Sequence, residues 1–175
     1  MATGVTSSYL INTAPLVPER FQGMLISLMN RQYRFCAFEP FNTNDLEAGV
    51  VVTGTQDAMG TMKVSKPTAA GAKILGVTLL NFQRVMNWDV ALQCFMYPAN
   101  SIVSLIEEGD IVMHSEVPVD VADPVYFRFA VDTGLTRIGA LGKAAGVGLD
   151  LLVGARFLEK TTAPGKVRVS LPDII

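Results

Sequence analysis

The feature that most constrains the fold is a series of short, strand-like runs that begins near Ala48 and continues almost to the end of the chain. Val, Ile, Phe, Tyr and Thr fill these runs, as suits a half-buried pleated surface. Gly, Pro, Asn or Asp stands between most runs, which recur about every ten residues. The predicted strands are 49–53, 60–64, 73–80, 91–97, 101–106, 111–115, 125–131, 151–158 and 167–171. The pattern predicts a mainly β fold, a compact β-sandwich or barrel.

The chain before these runs has a different character. Residues 1–46 contain prolines and amides but no sustained apolar alternation, and residues 21–34 are compatible with one short helix. Helix, strand and extended arm therefore stay open for this region. Because apolar residues recur too often for a solvated tail, we predict an extended N-terminal arm over 1–46 that binds a partner, and a β domain over 47–175. The predicted anchors of this arm are Tyr9, Leu10, Phe21, Met24 and Phe38.

Three turns between runs are specified by their residues. Residues 107–110 contain Gly109, which can close a hairpin between two apolar runs. Residues 120–124 end in Pro124, which is tolerated as the first residue of a strand because its missing N–H is harmless there. Pro164 and Gly165 suit the two central positions of a type II turn.

Composition indicates that part of the surface is covered by partners. Hydrophobic residues make up 50% of the chain and charged residues 17%, whereas about 25% charged is typical of soluble domains. Small Ala and Val residues are one explanation; an apolar surface buried against partners is the better one. The net charge of −2 leaves no basic excess for phosphates, so we expect no nucleic-acid binding.

Targeting and redox signals are absent from the sequence. The first residues carry neither a basic nor an apolar signal region, and no run of 18 apolar residues occurs, so we expect neither a signal peptide nor a membrane span. Cys36 and Cys94 lie far apart without metal-ligand spacing, which indicates free thiols.

Asp132-Thr133-Gly134 is the one tripeptide that matches a catalytic template, that of an aspartic protease of retropepsin type. Leu135 follows where such enzymes place Ser or Ala, and few residues remain to build a second half-site. A hairpin turn with Gly134 in the left-handed conformation is the simpler interpretation.

Other candidate sites fail on spacing. His114 is the one histidine and has no recognisable nucleophile beside it. Residues 139–144 resemble a phosphate-binding loop only superficially, and no cluster has the spacing of a zinc site. Trp88, with Phe82 and Phe95, could line a sugar-binding face, but aromatic residues at such spacing are more often core, and we interpret them so. We therefore predict no catalytic residue, cofactor or metal.

The order of several turn-plus-strand motifs resembles the cement, or decoration, proteins of tailed bacteriophages. An N-terminal Pro18 followed by Gly23-Met24 also fits, whereas Ala122 stands where that family usually has Gly before Asp-Pro. The motifs, in order, are Gly76-Val77-Thr78, Glu108-Gly109-Asp110-Ile111-Val112, Ala122-Asp123-Pro124-Val125-Tyr126, Gly154-Ala155-Arg156-Phe157-Leu158 and Ala163-Pro164-Gly165-Lys166-Val167-Arg168-Val169.

The resemblance implies a structural protein that is made in the bacterial cytoplasm and joins the exterior of an icosahedral head. It would clamp neighbouring copies of the major capsid protein, often as a homotrimer, with no nucleic acid or membrane among its partners. Two alternatives stay open: another virion component, such as a head-completion or tail protein of β type, and a protease that depends on Asp132.

Overall fold

The computed structural model describes residues 21–25, 34–35, 40–84, 86–132 and 134–172. Within these ranges the regular structure is entirely β, which confirms the predicted class. The strands are β1 (Arg34–Phe35), β2 (Phe41–Asn42), β3 (Leu46–Glu47), β4 (Val51–Gln56), β5 (Met62–Ser65), β6 (Ile74–Thr78), β7 (Asn87–Asp89), β8 (Cys94–Tyr97), β9 (Leu105–Ser115), β10 (Pro124–Arg128), β11 (Leu141–Gly142), β12 (Leu149–Phe157) and β13 (Gly165–Leu171).

Five strands close into a ring, which is the barrel form of the prediction. Their order is β11-β10-β12-β13-β9, and β11 returns to β9 through the parallel pair Leu141 and Ser115. The N–H of Glu116 donates to the carbonyl oxygen of Leu141 at 2.9 Å and extends this contact. Closure removes the open edges that a flat sheet of these strands would leave.

Strand β9 also connects the ring to the rest of the sheet. Its first residues pair with β6, and the order continues through β4 and β5 to β2. A separate three-stranded sheet has the order β3-β8-β7, so β7 lies at its edge. The long β9 therefore organises the fold.

Two groups of buried apolar side chains form the core. The larger fills the ring, and the smaller lies between β4, β5 and the three-stranded sheet. Full burial of one such side chain contributes about 1.5–3 kcal/mol. The larger group comprises Val51, Val77, Leu79, Ile106, Ile111, Met113, Val119, Val125, Phe127, Leu141, Leu152, Ala155, Phe157, Val167, Val169 and Leu171. The smaller comprises Leu46, Val50, Val52, Val64, Tyr97, Val103 and Leu105.

The hairpin predicted at residues 107–110 is wrong. These residues continue β9 without interruption, and Gly109 pairs with Leu171 of β13. The acidic side chains suggested a solvated turn, but Glu107 is buried beneath β1, where its carboxylate accepts a hydrogen bond from Arg34 Nε at 2.9 Å. A contact from a distant segment thus makes a charged stretch part of a strand.

Of the other two turns, one is confirmed and one is corrected. The N–H of Asp123 donates to the carbonyl oxygen of Asp120 at 3.1 Å, and Pro124 begins β10 as predicted. Ala122 does not have a positive φ, so the turn does not need the glycine usual in the family. Gly165 is instead the first residue of β13 with a φ of 155°, far from the value of about +80° in a type II turn.

The segment 21–34, for which helix and strand were both open, is described only at its two ends. Residues 21–25 form a turn followed by a single bridge between Leu25 and Ile111, and Arg34 lies in β1. Neither end is helical. Residues 26–33 lie outside the described part of the chain.

Candidate interaction surface

Residues 21–25 are attached to the β domain through the edge of β9. The N–H of Gly23 donates to the carbonyl oxygen of Val112 at 2.7 Å, and the N–H of Val112 donates to that of Met24 at 3.0 Å. Leu25 packs against the core of the ring. These bonds satisfy backbone groups of β9 between its contacts with β6 and β11, so this segment forms part of the fold.

Position 23 requires a glycine because there is no room for a side chain and because the backbone has a positive φ. Its φ is +80°, and a Cβ atom would lie 2.7 Å from the Cβ of Ala48 and 2.8 Å from the nitrogen of Gly49. A side chain at this position would force the segment away from β9. The Gly-Met pair noted in the sequence therefore marks a tight backbone crossing.

Residues 21–25 are also attached to the β domain through a network of buried polar side chains. Gln22 accepts a hydrogen bond from Arg137 Nη2 at 2.7 Å, and the backbone N–H of Arg137 donates to Glu116 Oε1 at 3.0 Å. The other oxygen of Glu116 binds the guanidinium of buried Arg128. Arg137 Nε also lies 4.0 Å from a carboxylate oxygen of Glu47 in β3. The network links the N-terminal segment, the ring and the three-stranded sheet.

Four aromatic side chains are in contact with one another: Phe21, Phe82, Trp88 and Phe95. We call this cluster the aromatic face. The centroid of Phe95 lies 5.0 Å from that of Trp88, 5.1 Å from that of Phe82 and 5.7 Å from that of Phe21. Phe21 and Trp88 are 6.2 Å apart with planes at 88°. These edge-to-face arrangements stabilise aromatic pairs by about 0.5–1.5 kcal/mol beyond burial.

The aromatic face is open to solvent on one side. Phe82 is 68% exposed and Trp88 is 44% exposed. Val90 and Leu92, in the connection that follows β7, are 78% and 37% exposed. The interpretation of Trp88 and Phe82 as core is therefore wrong. Exposed large apolar residues gathered on one element mark interaction sites.

Positive charge borders this face. Lys166 Nζ lies 5.7 Å from the centroid of Phe21, within range of a cation–π interaction. In the described part of the chain, no carboxylate forms an ion pair with Lys166. Burial, together with the charges of Arg137 and Lys166, lowers the pKa of nearby His114 to about 4.

The predicted arm residues divide between described and undescribed parts. Phe21 lies in the aromatic face, and Met24 is half-buried with its backbone paired to β9. Tyr9, Leu10 and Phe38 lie outside the described residues. Sequence reasoning missed Lys166; the available signal was the alternation of charged and apolar residues in Lys166-Val167-Arg168-Val169, where Val167 and Val169 are buried.

The protease-like tripeptide is a turn, as its simpler interpretation predicted. The N–H of Asp132 donates to the carbonyl oxygen of Leu135 at 3.0 Å, and the reciprocal bond has the same length. Gly134 has a φ of +78°. Thr133 lies outside the described residues.

The remaining candidates are structural where they are described. Gly142 of the loop 139–144 is part of β11, and Gly139 packs against Val50. Cys94 is buried, which raises the pKa of its thiol, while Cys36 lies outside the described residues. No group of three metal-ligating side chains occurs among the residues described. No described helix has the length and hydropathy to cross a membrane.

Comparison with known proteins relates this arrangement to phage capsids. No curated protein sequence matches the chain. Its fold is similar to that of a chain in the capsid of Myoviridae phage XM1, with a TM-score of 0.62 and 18% identity over 95% of this chain and 99% of that chain. A family model described as structural cement protein (E217 gp24/Pam3 gp6) matches residues 13–171. The chain therefore belongs to the structural cement protein family of phages.

Proposed function

We propose that this protein binds the outer surface of an icosahedral phage head and joins neighbouring copies of the major capsid protein, without catalysis. The family match over residues 13–171 is the observation that carries this proposal. The low charge content and the solvent-facing aromatic side chains support it, because both suit a protein covered by partners. We propose a homotrimer as the bound unit.

The protein would bind the capsid through the N-terminal arm, residues 1–46, and through the aromatic face. Phe21 belongs to both. Tyr9, Leu10, Phe21, Met24 and Phe38 are the proposed anchors of the arm. Residues 21–25 hold the arm on β9, so anchors that precede them in the chain start from a fixed point. An attachment of this kind raises the local concentration of the arm at a neighbouring subunit.

The protein would stabilise the shell by mass action. A ligand that binds the assembled lattice and not the free subunits stabilises it by RT ln(1 + [L]/Kd), about 2.7 kcal/mol per site at a hundredfold excess over Kd. Repetition over the many equivalent sites of a shell multiplies this contribution. No catalytic group is needed for such a role.

The test is to add purified protein to mature heads that lack it. We expect stoichiometric decoration of the outer surface, visible by electron microscopy, and a rise in the melting temperature of the heads. Binding at a vertex or at the tail instead would favour a head-completion or tail component. Absence of binding together with an unchanged melting temperature would refute the proposal.

A further inference from the structure

Strand β7 lies at the edge of the three-stranded sheet. It pairs with β8 on one side, and no other described strand pairs with it. Proteins normally limit such edges by keeping them short, charged or covered, and β7 has three residues and ends in Asp89. Here the edge strand carries half-exposed Trp88, and Val90 and Leu92 follow it in the open. Backbone hydrogen-bonding groups and apolar side chains are thus offered together, as in sites that bind an extended segment.

The charge beside this edge indicates the chemistry of the occupant. Lys166 stands at the Phe21 end of the aromatic face and is exposed. Lys166 lies opposite His114 across the β13–β9 pair, and burial together with the charges of Arg137 and Lys166 lowers the pKa of that imidazole. No described carboxylate neutralises Lys166. An apolar segment that also carries an Asp or Glu would be complementary to the face.

The position of the face also connects it with the arm. Phe21 contacts Trp88 and Phe95, so residues 1–20 join the described structure at this face. A partner that contacts Phe21 would therefore lie beside β7. Two neighbouring contacts with one partner reinforce each other through effective concentration.

We propose that an extended, apolar segment of the capsid protein pairs with the free edge of β7, with its side chains on Trp88 and Phe82 and a carboxylate on Lys166. This inference rests on the proposed function and names the partner surface. The capsid protein is the occupant favoured over a second copy of this chain, because the arm proposed to reach the capsid enters the structure at the same face.

Three variants test the side-chain contacts, with mature heads that lack the protein as the binding probe. Trp88→Ala removes the central ring, Val90→Glu places a carboxylate on the apolar part, and Lys166→Glu reverses the charge. We expect each variant to weaken binding by tenfold or more, about 1.4 kcal/mol. Lys166→Glu should also reduce the dependence of binding on salt.

The controls separate loss of contact from loss of folding. Lys143→Glu makes the same charge change at another exposed lysine, and Val153→Ser removes an apolar side chain on β12 that is also exposed. Both should bind heads within about twofold of the wild type, as expected of surface changes away from an interface. Val90 is so exposed that its variant should keep the wild-type melting temperature.

Amide hydrogen exchange tests the strand pairing itself. Amides of Asn87–Asp89 should exchange more slowly on the head than in the free protein. If the wild type binds heads but the three variants bind equally well and β7 gains no protection, the edge is not the docking site, although the cement role stands. If the variants alter only the oligomeric state, the face joins copies of this chain and the inference is wrong. Failure of the wild type to bind heads would instead contradict the proposed function.

Discussion

At Gly23 a single hydrogen atom in place of a side chain allows three backbone segments to meet. We expect Gly23→Ala to destabilise the protein by about 2–4 kcal/mol, because it adds both strain at positive φ and a steric clash. The clash is with Ala48 and Gly49, whose atoms would lie 2.7 and 2.8 Å from the new Cβ atom. Urea denaturation of the two proteins measures the difference.

Gly71 provides the matched control for this substitution. Its φ of +68° is similar, but a Cβ atom there would meet nothing within 4 Å. Gly71→Ala should therefore lose only the conformational term, on the order of 1 kcal/mol. Equal losses at the two positions would show that close packing at Gly23 is unimportant.

His114 makes stability depend on pH in a defined window. Burial, Arg137 and Lys166 lower its folded pKa to about 4, from an ordinary value of 6.5. As the pH falls through 6.5 the unfolded chain binds a proton that the folded protein does not, so stability decreases until the pH reaches about 4. The loss is on the order of 1–3 kcal/mol, reduced by the partial exposure of the ring.

His114→Gln should remove this part of the pH dependence. The measurement is the free energy of unfolding at several pH values between 7 and about 4 for both proteins. The stability of the wild type relative to the variant should fall as the pH decreases from 6.5 to about 4, because the wild type alone has a histidine that protonates more readily in the unfolded chain. Parallel curves would show that carboxylates account for the whole effect.

At the scale of elements, the pair Glu116 and Arg128 joins the end of β9 to β10. Both side chains are buried, and Glu116 also accepts the backbone N–H of Arg137. Removal of one partner leaves a buried charge, so we expect Arg128→Met to cost about 3–5 kcal/mol. Chemical denaturation measures this cost.

The double variant distinguishes a lost ion pair from lost packing. Glu116→Gln combined with Arg128→Met removes both charges and should recover part of the stability that Arg128→Met loses. If the two losses simply add, the pair is not coupled and the aliphatic stem of Arg128 carries the effect.

At the scale of the whole molecule, the point at which the arm is truncated decides what a deletion tests. Deletion of residues 1–20 leaves the hydrogen bonds of Gly23 and the packing of Leu25 intact. We expect this variant to keep the wild-type melting temperature but to bind heads at least tenfold more weakly, by loss of the arm contribution. Calorimetry and a head-binding assay measure the two quantities.

Deletion of residues 1–25 is the comparison. It exposes backbone groups of Val112 and removes Gln22 from Arg137, so the melting temperature should fall as well. Unchanged head binding after deletion of 1–20 would show that Tyr9 and Leu10 are not anchors.

Local sequence patterns were sufficient to predict the class of fold and the family. Strands β4, β5, β6, β8, β10, β12 and β13 lie within or overlap the predicted runs. Their signal is local, because alternation of side chains and the residues of each turn act over a few positions. The turn at residues 120–124 and the one at Asp132 were predictable for the same reason.

Which charged and aromatic residues are covered depends on contacts that form only in the folded protein. Residues 107–110 are a strand because segments far along the chain cover their acidic side chains. Trp88 is 44% exposed although it is a large aromatic residue, and Lys166 borders Phe21 although the two residues lie near opposite ends of the chain. Burial depends on contacts between distant segments, which a local pattern of residues does not encode.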